Sequence, residues 1–250
     1  MPERPEPLAT PGDIAAALAL LTRLPLPVAV PSRGARAAWA WPVAGLVVGV
    51  VAALAALAGH GLGLPPAVSA GLTLSAAIAV TGALHEDGLA DSADGFWGGW
   101  SRQRRLEIMR DSRIGSYGVI ALILSLGLRW AALTALLATG PATLAILAAA
   151  ALSRLPMVWL MHLLPGARPD GLSAQTGRPG GATAALATFG ALIIGTLTLG
   201  PAVFPAALLV IAVAAAAALL MRAKIGGQTG DTLGATQQLS EIALLACLAV

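Results

Sequence analysis

Apolar residues run along this chain in long blocks separated by short polar stretches, with no alternation of the kind a half-buried strand would show. A helix that crosses a membrane needs about 20 mostly apolar residues. Seven blocks meet or approach that length, at residues 37–58, 66–84, 117–138, 141–161, 183–199, 202–221 and 239–250, the last being the shortest. An eighth block, 13–30, carries Arg23, Pro25 and Pro27 and reads as an interfacial or re-entrant helix, although an eighth span stays open. The pattern predicts an all-α, polytopic integral membrane helix bundle of about seven spans, forming one membrane-embedded domain over 1–250.

Basic residues sort the connections between blocks. The turns at 60–65, 139–140 and 200–201 contain no Lys or Arg, whereas the others hold Arg4, Arg23, Arg33 and Arg36, then Arg102, Arg104, Arg105, Arg110 and Arg113, then Arg168 and Arg178, then Arg222 and Lys224. By the positive-inside rule the basic set faces the cytoplasm. Seven spans with the N-terminus inside follow, with a cytoplasmic or interfacial segment at 1–36 and cytoplasmic polar segments at 85–116 and 222–238.

Composition agrees. Hydrophobic residues make up 57% and charged residues 11%, against about 25% charged in soluble domains. The pI of about 10.0 does not point to nucleic acid, because the arginines are spread over short loops and no compact basic domain exists. The lone Cys247 leaves no partner for an internal disulfide and reads as lipid-facing or packing. Glu3, Glu6 and several prolines precede any apolar block, so the start does not read as a secretory signal peptide. Arg129 and Arg154 interrupt apolar blocks; Arg129 fits a structural pair or a substrate contact, and Arg154 fits the same or snorkelling to the interface. Trp39, Trp41, Trp97 and Trp100 read as interfacial belt residues.

Candidate chemistry is concentrated in three polar segments. In the first, residues 85–95, His85, Glu86, Asp87, Asp91 and Asp94 fall within ten positions. On a helix, Asp87, Asp91 and Asp94 stand at i, i+4 and i+7 and share a face, where three anions repel unless cations lie among them. Carboxylate oxygens suit Mg²⁺ or Mn²⁺, and Gly88 and Gly95 leave room for a diphosphate at the backbone. The plainer alternative is a solvated polar loop. His85 is a candidate acid or base. The second segment, 101–113, predicts a charged amphipathic helix on the membrane surface, ending in Arg110, Asp111 and Arg113. Its arginines suit bidentate phosphate contact and Asp111 suits a further metal ligand, while Arg102, Arg104 and Arg105 also fit contact with anionic lipid. The third, 226–238, strings four glycines with Gln228, Thr229, Asp231 and Gln237, as an anion-cradling loop would, and leads into Glu241. No P-loop ending, zinc spacing or Gly-x-Ser-x-Gly motif is present.

Taken in order, residues 84–95, 107–115 and 227–235, with Leu21-Thr22-Arg23-Leu24-Pro25 near the start, resemble the cobalamin synthase family, the adenosylcobinamide-GDP ribazoletransferases of the bacterial cytoplasmic membrane. The resemblance covers nearly the whole chain. It implies that α-ribazole, or its 5′-phosphate, displaces GMP from adenosylcobinamide-GDP to give adenosylcobalamin or its 5′-phosphate, with Mg²⁺ required. On that expectation Asp87, Asp91 and Asp94 are metal ligands, completed by Asp111 or Asp231. Arg110 and Arg113 clamp phosphate, and Gln228, Thr229, Asp231 and Gln237 contact substrate. An acid of the cluster, His85 or Glu86 takes the proton. The Asp87-Gly88 start is also similar to the CDP-alcohol phosphotransferase signature, from which the chain departs at Asp91 and by lacking the later Gly-x-x-x-Asp-x-x-x-Asp portion. A cation transporter is the reading from another class, set against it by the absence of a convincing internal repeat. A homo-oligomer is compatible with all of these.

Overall fold

A computed structural model describes residues 7–26 and 33–250, so Glu3, Arg4, Glu6 and the end of the 13–30 block lie outside the described residues. Every named element among the described residues is helical. The first are α1 (Gly12–Leu21), a 3₁₀ segment (Gly34–Ala40), α2 (Trp41–Gly61), α3 (Pro66–Thr81) and α4 (Leu84–Gly98). There follow α5 (Arg102–Ile108), α6 (Ser116–Ala138), α7 (Thr143–Leu152), α8 (Leu155–Leu163) and the short α9 (Leu172–Thr176). The last are α10 (Gly181–Leu199), α11 (Val203–Ile225) and α12 (Gly230–Leu248).

Four stretches are long and apolar enough to cross a membrane: Gly34–Gly61, Ser116–Ala138, Thr143–Leu163 and Gly181–Ile225; a fifth arises if α3 and α4 form one bent span. Gly181–Ile225 holds two of the expected blocks. The chain reverses within it at Gly200 (φ +56°), because Thr188 and Leu192 of α10 wall the same cavity as Val210, Ile211 and Ala214 of α11. Only 17% of its most apolar window is buried, which leaves Phe189, Leu197, Phe204, Leu208 and Leu219 to face lipid tails.

Three departures from the sequence pattern shape the site. First, α3 and α4 meet at 87° because Gly82 and Ala83 both adopt left-handed backbone, φ +64° and +59°. A left-handed alanine is disfavoured by roughly 1–2 kcal/mol, so the surrounding packing holds this bend in place. Second, the 141–161 block is broken at Ser153 and Arg154, where Pro156 at the start of α8 removes a donor from the α7 ladder. Third, residues 230–238 are helix rather than Gly-rich loop, and the expected final span is the second half of α12.

Helices α4, α6 and α12 form the polar centre. Ser125 bonds Gln238, and one turn further along both helices Arg129 pairs with Glu241, so α6 and α12 run parallel. Glu86 meets Gln238 while Gly88 meets Asp231, so α4 runs antiparallel to α12. A Cβ on Gly88 would stand 2.7 Å from the Asp231 carbonyl oxygen, so Gly88 admits a neighbouring helix where sequence reasoning expected a diphosphate. Gly95 likewise packs on Met109. Gly88→Val is expected to force α12 off α4 at a cost of about 1–3 kcal/mol, seen as a lower melting temperature in detergent. Beneath these helices an apolar cluster around Trp41, Phe96, Met157, Met161, Ile225 and Leu233 ties α2, α4, α8, α11 and α12 together.

Candidate active site

One end of the bundle collects the end of α4, the starts of α6 and α12, and the loop after α8. Asp87 and Asp91 lie one turn apart on α4, as the i, i+4 spacing requires, and Asp231 enters from the first turn of α12. Asp91 is half-buried and feels the repulsion of Asp87, Asp231 and Asp94, opposed by the attraction of Arg168. Arg168 donates from Nη2 to Asp231 Oδ2 at 3.0 Å, while its Nη1 is enclosed without a partner. Asp87, Arg168 and Asp231 line one cavity together with His85.

The loop that carries Arg168 is fixed by backbone pairing. Ala167 donates to Gln228 and Gln228 donates to Pro165, forming an isolated bridge between the chain after α8 and the chain before α12. Thr229 then caps α12: its hydroxyl accepts from Thr232 N–H, and Thr232 returns the contact, which satisfies donors that a bare helix start would leave open. Gln228 Oε1 accepts from Ser173 at 2.6 Å. The side chains of Gln228 and Thr229 are thus spent on shaping the loop, and Asp231 is the member of that segment left facing the cavity.

Several expected site residues are placed elsewhere. Both oxygens of Asp94 accept backbone N–H groups at the start of α6, from Gly115 at 2.7 Å and Gly118 at 2.9 Å, making it an anionic cap for that helix. Asp111 sits on an exposed turn, where hydrogen bonds from Arg113 hold its carboxyl down to about 2. Arg113 is 87% exposed, and Arg110 pairs with Asp170, so neither arginine lines the cavity. The structure brings Asp231 and Arg168 to Asp87 and Asp91 in their stead. Arg102 and Arg105 are bound to protein as well, donating to the carbonyls of Ile225, Ala167 and Lys224 and so capping the end of α11. Trp39 donates to Asp13 and Trp41 is 3% exposed, so both are interior, while Trp100 is 94% exposed and Cys247 is exposed.

Behind the cavity lies a buried ionic network. Arg129 pairs with Glu86 at 3.0 Å and Glu241 at 3.6 Å, and Arg154 with Glu241 at 3.2 Å. Gln237 donates to Ser153 and Glu241, and Gln238 to Glu86 and Gln237. Two cations face two anions, so the charge balances inside the bundle. This assigns Glu86 and Gln237, expected in catalysis and substrate contact, to the frame of the site; Arg129 and Arg154 are structural partners, and Arg154 does not snorkel. Glu241→Ala would leave Arg154 enclosed without its counter-ion, at an expected cost of roughly 3–5 kcal/mol in thermal unfolding.

Among the described residues no three His, Cys, Asp or Glu side chains close around a single metal position. That suits Mg²⁺ better than a metal needing an all-protein cage, because Mg²⁺ is commonly held by one or two carboxylates plus substrate phosphates and water. Asp87, Asp91 and Asp231 offer hard oxygen donors with Arg168 as the compensating cation.

An apolar helix bundle with clustered carboxylates and an enclosed arginine at one end defines a membrane-embedded enzyme for a charged substrate. Residues 13–249 match the family described as cobalamin-5-phosphate synthase, and the chain belongs to that family. It is 48% identical over 239 residues to a protein of Bradyrhizobium diazoefficiens named adenosylcobinamide-GDP ribazoletransferase, covering 94% of this chain and 92% of the relative. A Mesorhizobium japonicum protein of the same name is 50% identical over 236 residues, covering 93% and 91%. One from Azorhizobium caulinodans, again so named, is 47% identical over 247 residues, covering 94% of each. No solved structure matches the chain.

Proposed function

We propose that the chain performs the transfer its relatives are named for, at the cytoplasmic face of the bacterial inner membrane. A ribose hydroxyl of α-ribazole, or of its 5′-phosphate, attacks the cobinamide-linked phosphorus of adenosylcobinamide-GDP. A new P–O bond forms, the bond to GMP breaks with its electron pair leaving on GMP, and the hydroxyl proton passes to a carboxylate. The product is adenosylcobalamin or its 5′-phosphate. The observation that carries this reading is the meeting of Asp87, Asp91 and Asp231 with the unspent donor of Arg168 on one cavity wall.

Negative charge on both the electrophile and the departing GMP is the obstacle, so positioning and electrostatics dominate. Asp87, Asp91 and Asp231 would hold Mg²⁺, which supplies charge neutralisation to the diphosphate when bound. Arg168, already anchored through Asp231, presents Nη1 to a phosphate oxygen. Asp87 forms no ion pair among the described residues and lines the cavity, which suits it to accept the hydroxyl proton.

A seven-span arrangement of α2, α3, α6, α7 with α8, α10, α11 and α12 fits this reading. Alternating crossings require the third and seventh spans to point the same way, as α6 and α12 do. Purified protein in liposomes is expected to release GMP only when adenosylcobinamide-GDP, a ribazole acceptor and Mg²⁺ are all supplied. GMP release independent of the acceptor, or ion flux instead of turnover, would contradict the proposal.

A further inference from the structure

The cavity that holds Asp87, Arg168 and Asp231 divides sharply by chemistry. Its other walls include Leu20, Leu21, Trp41, Met157, Met161 and Leu233, drawn from α1, α2, α8 and α12. Met157 and Met161 stand at i, i+4 and so share one face of α8. Thioethers and an indole are adaptable, polarisable surfaces that favour a flat aromatic ring. The volume is about 110 Å³, room for a small ring system and far too little for a corrin macrocycle.

Polar capacity within the apolar part is nearly all committed. Ser173 donates to Gln228 and Thr176 donates to the Leu172 carbonyl. His85, 1% exposed, is the exception, with Nε2 enclosed and no hydrogen-bond partner. A guanine ring placed here would bring several donors and acceptors to walls that cannot answer them, and an unanswered buried polar group is costly. A benzimidazole brings an apolar fused ring with one bare nitrogen, which a single uncommitted imidazole can match.

We infer that this cavity receives the base of the acceptor nucleoside, with His85 and the Met157–Met161 face setting which base is accepted, and that the corrinoid and guanosine parts of the donor lie outside it. The inference rests on the transferase reading above. It places the acceptor's ribose at the cavity's acidic side, where Asp87 and Asp231 stand, so that filling the apolar side removes acceptor affinity and spares the donor.

The test is steady-state kinetics of the full-length protein in liposomes, varying α-ribazole and adenosylcobinamide-GDP independently. Met161→Trp, which fills the cavity, is expected to raise KM for α-ribazole at least about tenfold with KM for the donor within about twofold of wild type. Met161→Ala, which enlarges it, is expected to shift the preference in kcat/KM towards ribosides of a bulkier base such as naphthimidazole. An unchanged acceptor KM in Met161→Trp, or a rise confined to the donor KM, would overturn the inference while leaving the transferase reading intact. Should Met161→Trp fail to fold, the acceptor preference of Met161→Ala decides alone, and no shift there counts against the inference. Absence of turnover by the wild-type protein would overturn the transferase reading beneath it.

Discussion

Asp91→Asn is expected to lower GMP release on the order of 10²–10³-fold or more while leaving the protein folded and inserted. Losses of that size accompany removal of one well-placed electrostatic group from a reacting centre. The substitution is nearly isosteric, and Asp91 makes no hydrogen bond that the fold needs, unlike its neighbours on α4. Asp94→Asn serves as the contrast. Asp94 satisfies two backbone donors at the start of α6, so its loss is expected to act first on stability, by about 0.5–2 kcal/mol as for other helix caps. Turnover and melting temperature measured on both variants separate the roles: activity lost with stability kept for Asp91, and stability lost for Asp94.

Arg168→Lys is expected to be the second severe change. Lysine keeps the charge, but one ammonium cannot hold Asp231 through one nitrogen and offer a second in a fixed fork, as guanidinium does. A charge-assisted hydrogen bond contributes about 1.5–3 kcal/mol, so kcat/KM for the nucleotide substrate is expected to fall roughly 10–100-fold. Arg113→Lys provides the internal standard. Its guanidinium is largely in solvent and paired with Asp111, so less than a twofold change is expected in the same assay. Equal losses in the two variants would remove Arg168 from the site.

How far the sequence foretold this site depends on what each residue's role needs. The i, i+4 pair Asp87 and Asp91 was legible because helical spacing alone puts both on one face. Long apolar blocks gave the helices of the bundle, yet the bend at Gly82 and Ala83 and the break at Ser153 were hidden, since tertiary packing imposes them on an apolar run. Asp94 looked identical to Asp91 in sequence; only the approach of α6, 21 residues away, turns it into a cap. Arg168 passed as one of many cytoplasmic basic residues, although Gln228 in a Gly-rich stretch and the glycine and prolines flanking Arg168 could have marked two loops that meet. Glu86, Arg129, Arg154, Gln237 and Glu241 were each noticed as polar groups in apolar company. Their mutual pairing spans four helices and has no local pattern.

The measurement that bears most directly on the account is Mn²⁺ binding by electron paramagnetic resonance, using folded protein in liposomes with adenosylcobinamide-GDP present. Wild type is expected to bind Mn²⁺ in a nucleotide-dependent way, with Mg²⁺ competing, and Asp91→Asn to lose that signal while Arg113→Lys keeps it. Binding of equal strength in wild type and Asp91→Asn, or none in either, would contradict the assignment of Asp87, Asp91 and Asp231 as the ion-holding centre.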